Sequence, residues 1–238
     1  MILNRFIINK VRYILEDVLC PCVRDSVLFY LLLRIVYGAR AKRLAEFRSR
    51  AATMSADEMV SYYKLFPALL DTTDVNQACL DRIASTVVGE EIVDVGCGRG
   101  WLANHLSQST HKRVCGVDFI VPNDLRTKYP DVRFIEAALQ KLPFADHSFD
   151  TVVCTHTLEH VLDVGGAVAE LRRICKHRLI IVVPSEREYK YSFNLHLSFF
   201  PYTHSLLNRL APLPPVHSCE VLDGDIFYME DMRGVDGP

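Results

Sequence analysis

Glu91-Ile92-Val93-Asp94-Val95-Gly96-Cys97-Gly98-Arg99-Gly100-Trp101-Leu102 places a buried strand, a glycine turn and a helix start within twelve residues. Ile92, Val93 and Val95 are β-branched and suit a strand covered on both faces. Gly96, Gly98 and Gly100 remove the Cβ atoms that would hold a ligand away from the main chain. The dinucleotide fingerprint G-x-G-x-x-G/A fits poorly, because the third glycine comes one residue early and Trp101 stands where a small residue belongs. The spacing argues against a nicotinamide dinucleotide.

Working outward, Arg113-Val114-Cys115-Gly116-Val117-Asp118 reads as a short strand that ends in a carboxylate 24 residues after Asp94. A carboxylate there can accept hydrogen bonds from both hydroxyls of one ribose. Taken singly, each motif is also compatible with a tight turn and a solvated aspartate. Further along, Thr203 to Leu210 reads as a helix, and Asp223-Gly224 is a hairpin signal joining strands Val216 to Val221 and Asp225 to Met229. Glu186 to Tyr202 is long for a connection, as substrate-shaping loops at a sheet's carboxyl edge are.

Asp94 to Gly100 and Val117-Asp118 are followed by Leu142-Pro143-Phe144-Ala145-Asp146-His147-Ser148-Phe149-Asp150, by Leu158-Glu159-His160-Val161 and by the strand Leu179 to Pro184. In this order they resemble the class I S-adenosylmethionine-dependent methyltransferases, in particular the ubiquinone- and menaquinone-type group, over residues 91–185. The resemblance implies an α/β, Rossmann-like fold with a seven-stranded, mostly parallel sheet of order 3-2-1-4-5-7-6 and flanking helices. It also implies S-adenosyl-L-methionine as cofactor, with S-adenosyl-L-homocysteine as product. Carried over residue by residue, the cofactor positions are Asp94, Gly96, Cys97, Gly98, Gly100 and Trp101, then Asp118 and Phe119, Ala138 and Leu139, and Cys154 and Thr155. The family's acidic adenine contact falls on Ala138, so adenine recognition is expected from backbone near Leu139 or from Glu136.

At 238 residues, half of them apolar, the chain is long enough for one catalytic domain, expected over 55–238, behind a helical extension over 1–54. Residues 1–50 hold ten Lys/Arg against four Asp/Glu, whereas 51–238 hold seventeen against twenty-five. A net negative catalytic part argues against a nucleic-acid partner. The eight cysteines show no C-x-x-C pairing, which suggests reduced cytoplasmic residues and no metal; proline in Cys20-Pro21-Cys22 points to a helix break.

In the extension, Leu3, Phe6, Ile7, Val11, Ile14, Leu15, Val18 and Leu19 fall near one helical face, and Pro21 interrupts the pattern. Val27 to Tyr37 is an apolar run with one charge, closed by Gly38 and too short to span a bilayer. Such helices pack over the catalytic domain or a second copy as a homodimer, or lie peripherally in a membrane interface. Ser55, with Asp57 and Glu58, has the polar start of a helix, and Tyr62, Tyr63 and Phe66 behind it are core aromatics or a shield for the methyl group.

Methyl transfer to a hydroxyl needs a base near neutral pKa, which favours histidine. His156, after the tip of the fourth strand, is the first candidate and His196 the second; His160 beside Glu159 reads as structural. The hydrophobic, basic arm and the aromatic loop favour oxygen methylation of a small-molecule, lipid or lipid-linked sugar acceptor. N- or C-methylation of a natural product or quinone-like acceptor comes next, and a cofactor-binding structural subunit without activity is the reading from another class.

Overall fold

A computed structural model of the protein describes residues 10–11, 13–66, 72–191 and 193–234. Leu3, Phe6, Ile7 and much of the expected first amphipathic helix lie outside the described residues. The chain divides into two compact units, one of Met1–Asp71 with Glu186–Phe199, the other of Thr72–Ser185 with Phe200–Pro238.

In the first unit a π-helical turn, Ile14–Val18, precedes a single turn, Pro21–Arg24. Pro21 does not merely interrupt a helix: it occupies the first position of that turn, where its missing N–H costs nothing. Helix α1, Val27–Tyr37, is capped by Ser26, whose hydroxyl accepts from the Phe29 amide at 3.4 Å. It ends at Gly38, φ 57°, and α2 follows over Ala41–Ala51. Helix α3, Ala56–Leu65, carries a full capping box: Ser55 Oγ accepts from the Glu58 amide, and the Glu58 carboxylate accepts from the Ser55 amide, both at 3.2 Å.

Leu33, Ala41, Leu44, Phe47, Tyr62 and Leu195 form the core of this unit. Tyr62 packs on Phe47 with ring centroids 5.1 Å apart, so the aromatic cluster is core packing. Arg48 fastens the segment 186–199 to the helices, donating from Nε to the His196 carbonyl at 2.9 Å and from Nη1 to the Tyr189 carbonyl, with its guanidinium 4.3 Å from the Phe199 ring centre.

The second unit holds a sheet of β1 Glu91–Val95, β2 Arg113–Asp118, β3 Val132–Glu136, β4 Phe149–Thr155, β5 Cys175–Pro184, β6 His217–Leu222 and β7 Asp225–Asp231, in the order β3-β2-β1-β4-β5-β7-β6. All neighbours are parallel except β7, which runs antiparallel to β5 and β6. The expected order is therefore the one observed. Asp223 and Gly224 have φ of 51° and 87°, the double positive turn that the Asp-Gly pair favours.

Strand residues alternate between two cores, as the pleat demands. Val93, Val95, Val152 and Ile181 face one core with Val168 and Leu171 of α6, Val164–Ile174, and Leu206 and Leu210 of α7, Thr203–Leu210. Ile92, Val153 and Ile180 face the other with Leu80 and Ile83 of α4, Gln77–Thr86, and Leu102 and Leu106 of α5, Trp101–Thr110. Each fully buried aliphatic side chain contributes about 1.5–3 kcal/mol. Buried Glu230 on β7 accepts from Arg172 Nε and Nη2 at 2.9 and 2.8 Å and from the Tyr228 hydroxyl at 2.7 Å, which locks α6 to the sheet.

Candidate active site

Strand order reverses between β1 and β4, and ligands of open α/β sheets bind outside the carboxyl ends of the strands at such a point. Here the chain leaves β1 through Gly96 and Cys97, whose amides both donate to the Val117 carbonyl, at 2.7 and 3.0 Å. The Gly98 amide donates to Asp118 Oδ2 at 2.8 Å, and the Ile120 amide donates to Oδ1 at 3.1 Å. Asp118 thus braces the glycine loop, and burial raises its pKa.

The three glycines do different work. A Cβ on Gly96 would lie 1.9 Å from Thr157 Oγ1, and one on Gly100 would lie 2.6 Å from the Phe134 ring, so both positions are closed by the protein itself. Around a Cβ on Gly98 there is nothing within 4 Å, and its φ of 51° is left-handed. Only Gly98 opens on free space, which corrects the expectation that all three keep a ligand channel clear. Gly98→Val is therefore expected to lose cofactor binding at the cost of backbone strain alone, whereas Gly100→Val adds displacement of Phe134 to that strain and destabilises the fold more. Calorimetry for binding and thermal unfolding for stability separate the two effects.

Asp94 lies fully buried near the end of β1, and neither carboxylate oxygen has a hydrogen-bond partner of normal geometry. Burial first, and then the Asp118 charge, push its pKa up to about 7, with the Ala103 amide opposing. Two carboxylates crowded under an open glycine loop suit a cationic ligand.

Among the other expected cofactor positions, Trp101 stacks on His105 at 5.1 Å between ring centres, and Phe119 is exposed. Ala138 is exposed and Leu139 buried, while the Glu136 carboxylate accepts from the Val121 amide at 3.3 Å. Cys97 and Cys154 are buried, and burial lifts both thiols far above their usual range, so neither is a nucleophile. Thr155, also buried, accepts at its carbonyl from the Thr157 hydroxyl at 2.9 Å.

His156 does not fit the role of base. Its Nδ1 lies 3.4 Å from Glu159 and its Nε2 3.4 Å from Asp225, both carboxylates being buried. Burial works against the charge, but Asp225 and Glu159 outweigh it and raise the pKa to about 10. Two buried carboxylates at 3.4 Å favour the imidazolium, which has no lone pair to offer, and the Nε2 contact is an ion pair rather than a hydrogen bond of normal geometry. The φ of 47° at His156 and the hydrogen bond that its backbone amide donates to the Val182 carbonyl at 2.8 Å fix it as a brace at the strand end. Asn76 completes the brace: it caps α4 by accepting from the Cys79 amide at 2.8 Å and donates to Asp225 Oδ2 at 2.8 Å. Linear sequence marked none of these partners, because Asp225 looked like an ordinary hairpin residue.

His196 differs. Buried Glu186 accepts from its Nδ1 at 2.6 Å and from the Asn194 side chain at 2.9 Å, which fixes the ring orientation. Glu186 was read only as the start of a loop.

A family model described as a methyltransferase domain matches residues 93–183. The chain is 27% identical over 170 residues to a probable S-adenosylmethionine-dependent methyltransferase of Mycolicibacterium smegmatis, covering 67% of this chain and 60% of that protein. Residues 93–183 carry a methyltransferase domain, set on a sheet of the Rossmann-like class I order. It is also 30% identical over 146 residues to the demethylmenaquinone methyltransferase of Chlorobaculum parvum, covering 57% of this chain and 60% of the relative. A solved Pyrococcus horikoshii protein shares the fold at TM-score 0.54 with 17% identity, over 72% of this chain and 98% of that one. The chain spans between about half and three fifths of the length of the curated relatives named first.

Proposed function

We propose that the chain transfers the sulfonium methyl group of S-adenosyl-L-methionine to an oxygen of a small-molecule, lipid or lipid-linked sugar acceptor. The observation that carries the donor half is the pair Asp94 and Asp118: one carboxylate is buried without a hydrogen-bond partner of normal geometry, the other holds the loop, and the space beside Gly98 is open. Asp94 would face the cationic amino-acid half of the donor and Asp118 its ribose. The bound sulfonium supplies an activated methyl group, so the protein's tasks are to hold, orient and take up a proton. Positioning alone supplies roughly 7–11 kcal/mol.

For the acceptor half, support comes from the Glu186–His196 pair. A hydroxyl acceptor must lose its proton as its oxygen bonds to carbon and the carbon–sulfur bond breaks, and the Glu186–His196 pair has the chemistry of the base that takes it, with the carboxylate stabilising the imidazolium. The negative balance of residues 51–238 and the aromatic residues of 189–202 favour a lipid-like or aromatic acceptor over RNA. Turnover of labelled donor on a panel of hydroxylated lipids, lipid-linked sugars and phenols tests this reading, and transfer only to amines or carbon acids would refute oxygen methylation. On a hydroxyl acceptor, His196→Ala is expected to lower kcat by about 10²–10⁴ with donor affinity unchanged; an unchanged kcat would remove His196 as the base.

A further inference from the structure

Helix α1 is amphipathic in an unusual sense: one face is core and the opposite face is both apolar and bare. Phe29 and Leu33 are buried, whereas Val27, Leu28, Leu31, Leu32, Ile35 and Val36 are 70, 63, 47, 48, 80 and 63% exposed. At 100° per residue these six positions fall within one half of the helix circumference. Removing such a face from water is favourable, and exposed contiguous apolar patches of this kind mark interaction surfaces.

The charge around the stripe says what covers it. From Ser26 to Ala45 the chain contains Arg34, Arg40, Lys42 and Arg43 and not one Asp or Glu, and all four cations are exposed, Lys42 lying 3.9 Å from Glu46 one turn on. An apolar face in a segment of net charge +4 matches a lipid surface with anionic headgroups, where each nearby cation contributes about 1 kcal/mol. A second copy fits less well: the helix is about 16 Å long and about 10 Å wide, a footprint far below the roughly 800 Å² per partner of a standard interface, and it would set like charges together. Among the described residues no helix is long and apolar enough to cross a membrane, so the contact is with the surface.

We propose that α1 docks the protein on an anionic bilayer, with Leu28, Leu31, Leu32 and Ile35 entering the acyl boundary and Arg34, Arg40, Lys42 and Arg43 at the headgroups. This assignment stands apart from the methyl-transfer reading, since it uses no residue of the cofactor site. It is tested with the full chain by co-sedimentation on phosphatidylcholine vesicles with and without phosphatidylserine, at low and high ionic strength. At low ionic strength, binding to the serine-containing vesicles is expected to be at least tenfold stronger than to neutral ones, and it should weaken with salt. The double variant Leu28→Glu/Ile35→Glu should lose binding at least tenfold, and Arg40→Glu/Lys42→Glu/Arg43→Glu should lose both binding and its salt dependence. Both replace exposed side chains, and circular dichroism and donor titration confirm that the fold and the cofactor site are intact. Equal partitioning onto the two vesicle types, undiminished binding of the double variant, or a dimer that the double variant dissolves in the absence of vesicle binding would overturn the proposal.

Discussion

Asp94→Asn is expected to weaken donor binding by about 1.5–3 kcal/mol, the loss of a charged hydrogen-bond partner, and at the same time to stabilise the empty protein. The two effects have one cause. A carboxyl whose folded pKa stands near 7, raised by burial and by Asp118, binds a proton on folding that the unfolded chain does not bind. Its contribution makes stability fall as pH rises from about 4 to about 7, and at neutral pH and above the native state carries the penalty. Asparagine removes it, raising Tm at pH 8 by about 2–4 °C for each kcal/mol recovered. A cationic ligand offsets the same penalty in the natural protein, so donor affinity should drop as pH falls below about 7 in the natural chain and stay flat in Asp94→Asn. A variant that binds normally and melts earlier would mean that Asp94 is a structural residue and faces no ligand.

The second large effect lies in the brace behind the site. His156→Asn tolerates the left-handed backbone at φ 47° but leaves Glu159 and Asp225 without the imidazolium between them. Breaking a buried ion pair from one side costs about 3–5 kcal/mol, a fall in Tm on the order of 10 °C. His156 has a folded pKa raised to about 10, so its stabilisation is fully present below its ordinary value near 6.5 and is lost as pH rises through about 10. Unfolding free energy measured between pH 7 and 10 should therefore decline in the natural chain and much less in the variant. If His156→Asn instead kept its stability and lost only kcat, the histidine would be a base after all.

These two residues show which parts of the molecule linear sequence can convey. The strand, loop and helix from Glu91 to Leu102 and the hairpin at Asp223-Gly224 depend on neighbours, and their glycines and β-branched residues were sufficient to place them. The Leu142 to Asp150 motif was recognisable as a family feature, yet its physical reason emerges only in three dimensions. Arg173 donates to the Phe144 carbonyl and to Asp146, both at 2.8 Å, and Asp150 accepts from the Glu90 amide at 2.7 Å, so the motif is scaffolding around β1 and β4. Long-range polar pairing left no periodic trace. Arg48 reaches the Tyr189 carbonyl 141 residues away, which groups the segment 186–199 with the N-terminal helices. Likewise, nothing in the order of residues couples His156 to Asp225, and position at a strand tip suggested a base where packing made a cation. Asp94 and Gly98 were legible by position, but their distinct chemistry, an uncompensated carboxylate and an open Cβ direction, came from burial alone.

The account turns on the crevice between Asp94, Gly98 and Asp118, and a crystal structure of the full chain with S-adenosyl-L-homocysteine tests it most directly. The expected result is the ligand's ammonium beside Asp94, its ribose hydroxyls on Asp118 and its backbone contacts passing over Gly98. Ligand density elsewhere, with this crevice closed by side chains, would contradict it.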